Sequence, residues 1–229
     1  MPELVISGTL VFASPLFIGA GGSRPGIDKS TLQYQGHPFI PGSSIKGRVR
    51  HNCERIIQTL GGWCCESADP ETTCPHHQWV TAPASGECPI CRIFGSPWLK
   101  SPLVFSDWMM ECPQSIAEES WKEWRKTSVR WGVSINRRRG TAQEDRLYVF
   151  ETAVPRQPAQ WRGEIYGSLA SEALAGLLYA GLLALRTVGG GSGRGLGWLE
   201  EASVAALAIR WGNEDRGGPE WLRTQLQAL

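Results

Sequence analysis

The chain has 229 residues, of which 41% are hydrophobic. This suits one large domain, or a core domain with insertions, and excludes wholesale disorder. The formal net charge is +1, so only local clusters of Lys and Arg can indicate a nucleic-acid partner. No stretch approaches the roughly 18 apolar residues that cross a bilayer, and the amino terminus lacks the basic segment and cleavage site of a signal peptide. We therefore expect a cytoplasmic protein with no membrane partner.

The amino-terminal half begins with a strand and a helix. Residues 3–12 alternate apolar and polar side chains and predict a half-buried strand. A glycine-bearing loop and a short extended piece at 37–40 follow. A helix is then predicted from Ser43 or Ser44, either of which can cap its amino end, to about Leu60. Its predicted apolar stripe comprises Ile45, Val49, Cys53, Ile56 and Leu60.

The carboxy-terminal half repeats this order. Strands are predicted at 103–110, 161–169 and 198–209, and a leucine-rich helix at 171–186. The polar tail can end in a short helix. Two strand–helix–strand units separated by an insertion predict the α+β class, as a modified ferredoxin-like or RNA-recognition-motif-like sandwich forming one domain over residues 1–229.

The segment between the two units, residues 61–92, is rich in Cys, His and Pro and lacks periodicity. Cys88 and Cys91 have the spacing of a zinc knuckle, in which two thiolates grip one side of a metal ion. Cys74 and His76 are our choice for the other two ligands. Cys64, Cys65 and His77 remain alternatives, as does a set of unliganded reduced cysteines. Because four protein ligands can close the site, we expect the zinc ion (Zn²⁺) to be structural.

Two glycine-bearing segments invite comparison with phosphate-binding loops. The segment 189–197 follows a helix and precedes a strand, the reverse of the order in a dinucleotide-binding site. The segment 42–47 lacks the Lys and Ser/Thr that end a Walker A loop. Both can be simple turns. The alternative is that their backbone amides approach a phosphate chain, with Lys46, Arg50 and Arg194 supplying charge.

Asp28 is distinctive among the carboxylates because of its surroundings. It lies in a glycine-bearing loop just before the basic helix, although an exposed loop aspartate is most often only a turn residue. No Ser-His-Asp or Cys-His arrangement can be argued from the four histidines.

Four segments together resemble one known family. GIDKSTLQYQGHPFIPGSSIKGRVR (26–50) resembles the amino-terminal signature of backbone subunits of type III CRISPR effector complexes, in the RAMP superfamily. VGGGSGRGLGW (188–198) resembles the glycine-rich loop of that superfamily, and CPICRIFGS (88–96) its zinc knuckle. INRRRGTAQEDRLYVFETAVP (135–155) is similar to its thumb hairpin, placed here at about 129–158. One departure is Asn136, where the thumb commonly carries Asp.

The resemblance implies a subunit that binds CRISPR guide RNA, pairs it with target RNA and contacts other subunits of the effector complex. It implies that Asp28 is catalytic, with Mg²⁺ or Mn²⁺, in cutting the target by attack of the RNA 2′-hydroxyl. The residues that the resemblance and the basic segments assign to RNA are Ser43, Ser44, Lys46, Arg50, Ile135, Arg137, Arg146, Gly189, Gly190, Gly191, Ser192 and Arg194.

Two other functions compete with target cleavage. The subunit can be purely architectural, holding guide RNA without nuclease activity. It can also be a guide-processing endonuclease of the same superfamily, which usually relies on a catalytic histidine, although neither His37 nor His51 has a persuasive context in the sequence.

Overall fold

The first strand of the protein, β1 (Glu3–Leu10), lies at the centre of the main sheet. In the computed structural model, which describes residues 2–65, 72–74, 87–111, 127–154 and 160–229, Leu4, Ile6 and Leu10 of this strand are buried. The predicted strand was two residues too long, since Phe12 makes only an isolated bridge to Leu199, but the predicted inward face is confirmed.

The main sheet contains eight strands within the described residues, and its strand pairs are antiparallel. Its other strands are β2 (Gln33–Tyr34), β3 (His37–Ile40), β4 (Leu103–Phe105), β5 (Trp108–Glu111), β8 (Gln160–Ser168), β9 (Ala208–Trp211) and β10 (Glu214–Arg216). The order across the sheet is β10-β9-β1-β8-β5-β3-β2, and β4 also pairs with β8. Strands β1 and β8 pair along their whole length and form the middle of the sheet.

Two long helices pack against each other over this sheet. Helix α1 (Gly42–Thr59) and helix α3 (Glu172–Leu183) approach closely at Gly181, where a Cβ atom would collide with the Cys53 sulfur. Asn52 donates a hydrogen bond from Nδ2 to the Gly181 carbonyl at 2.9 Å, which fixes the crossing. The shorter helices are α2 (Pro89–Phe94), α4 (Glu201–Ala205) and α5 (Pro219–Gln227). None of the described helices is long and apolar enough to span a membrane.

The apolar stripes of both long helices are largely as predicted. Ile45, Val49 and Cys53 of α1 are buried, but Ile57 replaces the predicted Ile56 and Leu60 at the end of the stripe. Leu174, Leu177, Leu178 and Leu182 of α3 are all buried. The tail helix is confirmed as α5.

The prediction that Ser43 or Ser44 caps α1 is wrong. Pro41 occupies the cap position, and no side chain of the preceding loop takes part. Instead Asp107, in the break between β4 and β5, accepts a hydrogen bond from the Gly42 amide at 2.8 Å. A carboxylate at a helix amino end satisfies an unpaired amide and complements the helix dipole. The partner is distant in sequence, so the local pattern did not show it.

The predicted strand at 198–209 is also wrong over most of its length. Trp198 makes a bridge to Thr187, helix α4 follows, and only β9 is extended. Helix α4 buries Val204, and Leu207, which lies between this helix and β9, is buried as well. An alanine-rich run favours a helix.

A separate two-stranded ribbon projects from the sheet. Strands β6 (Thr127–Asn136) and β7 (Thr141–Ala153) pair with each other in antiparallel register. The Asn136 side-chain oxygen accepts hydrogen bonds from the amides of Arg138 and Arg139 at 3.0 and 3.3 Å, which organises the turn. Asp makes the same local bonds, so Asn136 preserves the turn. Residues 155–158 of the predicted hairpin lie outside the described residues.

One face of this ribbon is apolar and exposed. Trp131 is 69% exposed and stands opposite Val149 in the register. The exposed apolar side chains of the ribbon are Val129, Trp131, Val133, Ile135 and Leu147. A continuous apolar row of this kind is typical of a surface that contacts a partner.

Candidate nucleic-acid interface and metal centre

A groove of about 490 Å³ runs between the start of α1 and the glycine-rich loop 189–197. Its walls include Ser43 and Ser44 on the helix side and Gly189 and Gly190 on the loop side. These four residues were assigned to RNA from two segments more than 140 positions apart, and the fold brings them together.

The shape of the glycine-rich loop requires glycine at two positions. Gly189 has φ 84° and a Cβ there would collide with the Phe17 carbonyl, while Gly197 has φ 69° and would collide with that of Val188. The Gly190 amide donates to the Phe17 carbonyl at 2.9 Å. These glycines are therefore needed for the turn itself, whatever the groove binds.

A short 3₁₀ helix, Ser192–Arg194, forms the outer part of this loop. Gly191 and Gly195 flank it with φ of 79° each, so both ends use left-handed backbone that favours glycine. The Trp198 indole donates to the Ser192 carbonyl at 3.3 Å and steadies the turn. Arg194, at the end of the 3₁₀ helix, donates a hydrogen bond to the Tyr148 hydroxyl of the β6–β7 ribbon.

The face of α1 that lines the groove also carries Arg48, which the sequence analysis missed, and His51, which it weighed only as a catalytic histidine. Ser44, Gly47, Arg48 and His51 follow the i, i+3, i+4, i+7 spacing of one helix face, and all four line the groove. Arg48 is exposed and also donates to the carbonyl and the hydroxyl of Thr187, which joins α1 to the start of the glycine-rich loop. Helical spacing counted from Ser44 would have identified Arg48 and His51.

Lys46 and Arg50 lie on another side of α1. The Lys46 ammonium is 5.8 Å from the centre of the Phe105 ring, and burial, together with the neighbouring Arg50, lowers its pKa. Arg50 donates to the Gly95 carbonyl at 3.1 Å and pairs with Glu54. The two predicted RNA contacts therefore face α2 and β4 rather than the groove.

Asp28 is joined to strand β7 of the ribbon. Its carboxylate accepts a hydrogen bond from the Val149 amide at 2.7 Å, and its own amide donates to the Val149 carbonyl at 2.9 Å. The Lys29 carbonyl accepts from the Glu151 amide at 2.9 Å. The loop that carries Asp28 thus runs alongside β7 for three residues.

A second pocket of about 460 Å³ lies around Asp28. Phe17, Gly19, Asp28 and Lys29 are among its walls, and Gly19 also borders the groove on α1. The two depressions therefore share Gly19 as a wall residue, and the Asp28 side chain is exposed.

Glu151 is a buried carboxylate that the sequence analysis did not single out. It is only 4% exposed and accepts hydrogen bonds from the Thr31 amide at 3.0 Å, from Gln33 at 3.3 Å and from the Thr127 hydroxyl. A buried charge is tolerated when it is hydrogen-bonded in this way. These bonds fix the segment just after Asp28 to the base of the ribbon.

The predicted RNA contacts on the ribbon are exposed to solvent near its tip. Ile135 is 60% exposed, and Arg137 and Arg146 are both exposed. The tip is therefore apolar and basic at once, which suits insertion beside stacked bases and phosphates.

Four buried cysteines form a cluster beneath the start of α2. The sulfur atoms of Cys65, Cys74, Cys88 and Cys91 all lie within 4.8 Å of one another and can hold a metal ion. Cys88 caps α2, and its sulfur accepts from the Cys91 amide at 3.5 Å. Four convergent thiolates are the donor set of a closed, tetrahedral structural site.

The cluster contains three of our four first-choice ligands, Cys74, Cys88 and Cys91, together with Cys65. Cys65, an alternative in the sequence, belongs to the cluster, whereas His76 and His77 lie outside the described residues. Cys64 is half-buried outside the cluster, and burial raises the pKa of its thiol to about 11. Arg50 reaches the Cys91 sulfur at 3.9 Å, so its charge lies beside the thiols.

Comparison with known proteins identifies one family. Residues 9–200 match the family model described as the RAMP superfamily. No curated protein matches the chain. The matched range includes the groove, Asp28, the cysteine cluster and the whole β6–β7 ribbon.

Proposed function

Because the chain belongs to the RAMP superfamily, whose members typically work with CRISPR RNA and with other subunits of CRISPR-associated complexes, we propose that it is a guide-RNA-binding subunit of a type III CRISPR effector complex that cleaves target RNA. The observation that carries the proposal is that the groove on α1 and the pocket around Asp28 share the wall residue Gly19. A nucleic-acid groove that adjoins an exposed carboxylate suits binding and cleavage by one subunit. Such a subunit works in the cytoplasm.

The fold supports a ferredoxin-like or RNA-recognition-motif-like sandwich. The order β9-β1-β8-β5, with α1 and α3 as the two long helices, is the arrangement expected of two interlocked strand–helix–strand units. The β6–β7 ribbon is the thumb of this proposal, and residues 61–92 are the metal-binding insertion in a single domain.

Guide RNA lies along the groove in this proposal. The hydroxyls of Ser43 and Ser44 and the backbone near Gly190 bind the sugar–phosphate chain, and Arg48 supplies charge. Sequence is read by base pairing between guide and target, so the protein needs only to recognise the backbone and the shape of the RNA.

Cleavage of the target uses the 2′-hydroxyl of the RNA itself. The 2′-oxygen attacks phosphorus and the bond to the 5′-oxygen breaks, which leaves a 2′,3′-cyclic phosphate and a 5′-hydroxyl. The 2′-hydroxyl proton passes to water, and the departing 5′-oxygen takes a proton from water. The ribbon, inserted into the guide–target duplex, holds the phosphate in line for this attack.

The surroundings of Asp28 suit a hydrated divalent cation. One carboxylate oxygen accepts the Val149 amide, and the other is available in the pocket. Mg²⁺ commonly binds through one or two carboxylates, with substrate phosphate and water as the other ligands, and Mn²⁺ accepts the same donors. When bound, such an ion neutralises the charge that develops on the phosphate.

Zn²⁺ is the proposed occupant of the four-cysteine site, in a structural role. Within the described residues the four thiols are buried, so no position is open for a reacting water. The metal would tie Cys65 and Cys74 to Cys88 and Cys91 at the start of α2.

The architectural alternative has one observation in its favour. Because the Asp28 carboxylate accepts the Val149 amide, Asp28 also has a role in attaching the loop to the ribbon. Substitution by alanine removes both the charge and this bond. Asparagine removes the charge but keeps an oxygen that can accept the amide.

The test compares wild type, Asp28→Asn and Asp28→Ala in the assembled complex, with guide-complementary RNA and either Mg²⁺ or EDTA. We expect Asp28→Asn to retain guide and target RNA while cleavage falls at least about 100-fold, and EDTA to stop the wild type. If Asp28→Asn cuts at the same positions and rate, the catalytic assignment is wrong. If the wild type binds target but does not cut, the architectural role stands.

A further inference from the structure

Two cations from distant parts of the chain meet at one aromatic ring on the ribbon. The Lys29 ammonium lies 5.9 Å from the centre of the Tyr148 ring, and the Arg194 guanidinium lies 5.5 Å from it. Arg194 also donates a hydrogen bond to the Tyr148 hydroxyl. The loop of Asp28, strand β7 and the glycine-rich loop thus each contribute one residue to this cluster, which we call the Tyr148 clamp.

The ring that gathers these cations is held firmly. Phe150 packs against Tyr148 with 5.9 Å between ring centres, and Phe17 packs edge-on against Phe150 at 6.1 Å. Phe17 is itself a wall of the Asp28 pocket. The clamp is therefore backed by an aromatic row that leads directly to the candidate cleavage site.

The positive charge of the clamp is uncompensated. Within the described part of the chain, neither Lys29 nor Arg194 has a carboxylate at salt-bridge distance, although both side chains are exposed. Other exposed arginines, such as Arg162 and Arg186, are paired with Glu111 and Glu201. Two unpaired cations beside one ring are arranged for an anionic ligand rather than for internal stability.

The anion that this geometry selects is a phosphodiester. Lys29 lies in the wall of the Asp28 pocket, so a group that it binds is next to the bond that Asp28 serves. The groove assigned to guide RNA is on the other side of Gly19, against α1. The clamp is therefore placed for the strand that is cut.

We propose that Lys29 and Arg194 bind target-strand phosphate at the cleavage position, with Tyr148 holding both cations in place. The proposal rests on the function proposed above and adds a second catalytic residue, Lys29, to it. As the 2′-oxygen attacks, negative charge grows on the non-bridging oxygens of the phosphate. A fixed ammonium group at that point stabilises the transition state more than the bound substrate.

The test uses single-turnover cleavage and target binding by the assembled complex carrying Lys29→Gln, Arg194→Gln or Tyr148→Phe. Lys100→Gln is the matched control, because Lys100 is an exposed lysine that lines neither the groove nor the Asp28 pocket. We expect Lys29→Gln to slow cleavage at saturating target by about 100-fold, the lower end of the loss that follows removal of one oxyanion-stabilising donor. Tyr148→Phe keeps the ring and loses the hydroxyl, so its effect should be smaller.

Salt dependence gives a second measurement that does not need cleavage. A plot of log affinity against log salt concentration has a negative slope, and loss of one phosphate contact reduces the magnitude of this slope by about 0.7 to 0.9. We expect this decrease for target binding by Lys29→Gln and by Arg194→Gln, with unchanged guide content. We expect no decrease for Lys100→Gln.

Failure of the clamp and failure of the proposed function give different results. If Asp28→Asn abolishes cleavage but Lys29→Gln cuts and binds like wild type, the clamp is wrong and the function stands. If the wild type does not cut, the function is wrong, and an unchanged salt slope then rejects the clamp as well. Release of guide RNA from Lys29→Gln would assign the clamp to the guide strand and overturn the proposal.

Discussion

The buried carboxylate of Glu151 accepts a hydrogen bond from the amide of Thr31 at 3.0 Å, across 120 positions of sequence. Thr31 lies three residues after Asp28, and Glu151 lies two residues after Val149, the partner of the Asp28 carboxylate. The ribbon and the loop of Asp28 are therefore attached at two successive points. A movement of the ribbon therefore carries the Asp28 loop with it.

Replacement of Glu151 by glutamine should loosen this attachment. The new amide group presents N–H where Glu151 accepts hydrogen bonds, so a buried donor is left unmatched at a cost of about 1–3 kcal/mol. We expect Tm to fall by several degrees and cleavage to fall about 10-fold with guide binding unchanged. Glu144→Gln, at an exposed position on the same strand, is the control. Equal behaviour of the two variants would reject a positioning role for Glu151.

Arg48 and Lys46 should differ in their importance for guide binding. Arg48 lines the groove, whereas Lys46 lies against Phe105, so only Arg48→Gln removes charge from the groove. We expect Arg48→Gln to lower the affinity for guide RNA about 10-fold at moderate salt. Lys46→Gln should change this affinity less than about twofold. Filter binding at several salt concentrations measures both. A larger loss for Lys46→Gln would place the guide on another face of α1.

Neighbouring cysteines provide a matched pair for the metal site. Cys65 belongs to the four-sulfur cluster and Cys64 does not. We expect about one zinc ion per chain in the wild type and in Cys64→Ser, and a large loss of zinc with a lower Tm in Cys65→Ser, because structural zinc contributes directly to folding. Metal analysis and thermal unfolding measure this. If zinc can be removed from the wild type without a change in its Tm, the assignment of a structural zinc ion is wrong.

Stability at acid pH should depend on Glu172, which joins α3 to the tail. Trp221 and Arg216 donate to its carboxylate at 2.8 and 2.7 Å, and these hydrogen bonds lower its pKa. The stabilisation is present above the ordinary glutamate pKa of about 4.3 and is lost as pH falls through the lower folded pKa. We expect wild type to exceed Glu172→Gln in Tm at pH 7 and the difference to shrink below about pH 4. A difference that is constant with pH would contradict this.

Features that depend on local pattern were accessible from the sequence. The alternation in β1, the leucine period of α3 and the spacing of Cys88 and Cys91 each report interactions within a few residues. These patterns were sufficient for the main strands, both long helices and part of the metal cluster.

Features that depend on distant partners were not accessible. Asp107 replaces a local cap on α1, and Glu151 is an ordinary carboxylate until the fold places it beside Thr31. Arg194 was assigned to RNA by its charge, but only the fold shows that it meets Lys29 at one ring. The wrong prediction of a strand at 198–209 has a different cause. In a short apolar run, the two-residue spacing of a strand and the three-residue spacing of a helix are hard to distinguish.

The attachment of Asp28 to the base of the ribbon has an evolutionary consequence. Residues added at the tip, 137–140, lie beyond the last bond to the Asp28 loop and leave that loop in register. One residue inserted between Val149 and Glu151 would turn one of these anchors to the opposite face of the strand. Among related chains we therefore expect the ribbon to vary in length at its tip, and the separation of these two anchors to stay constant.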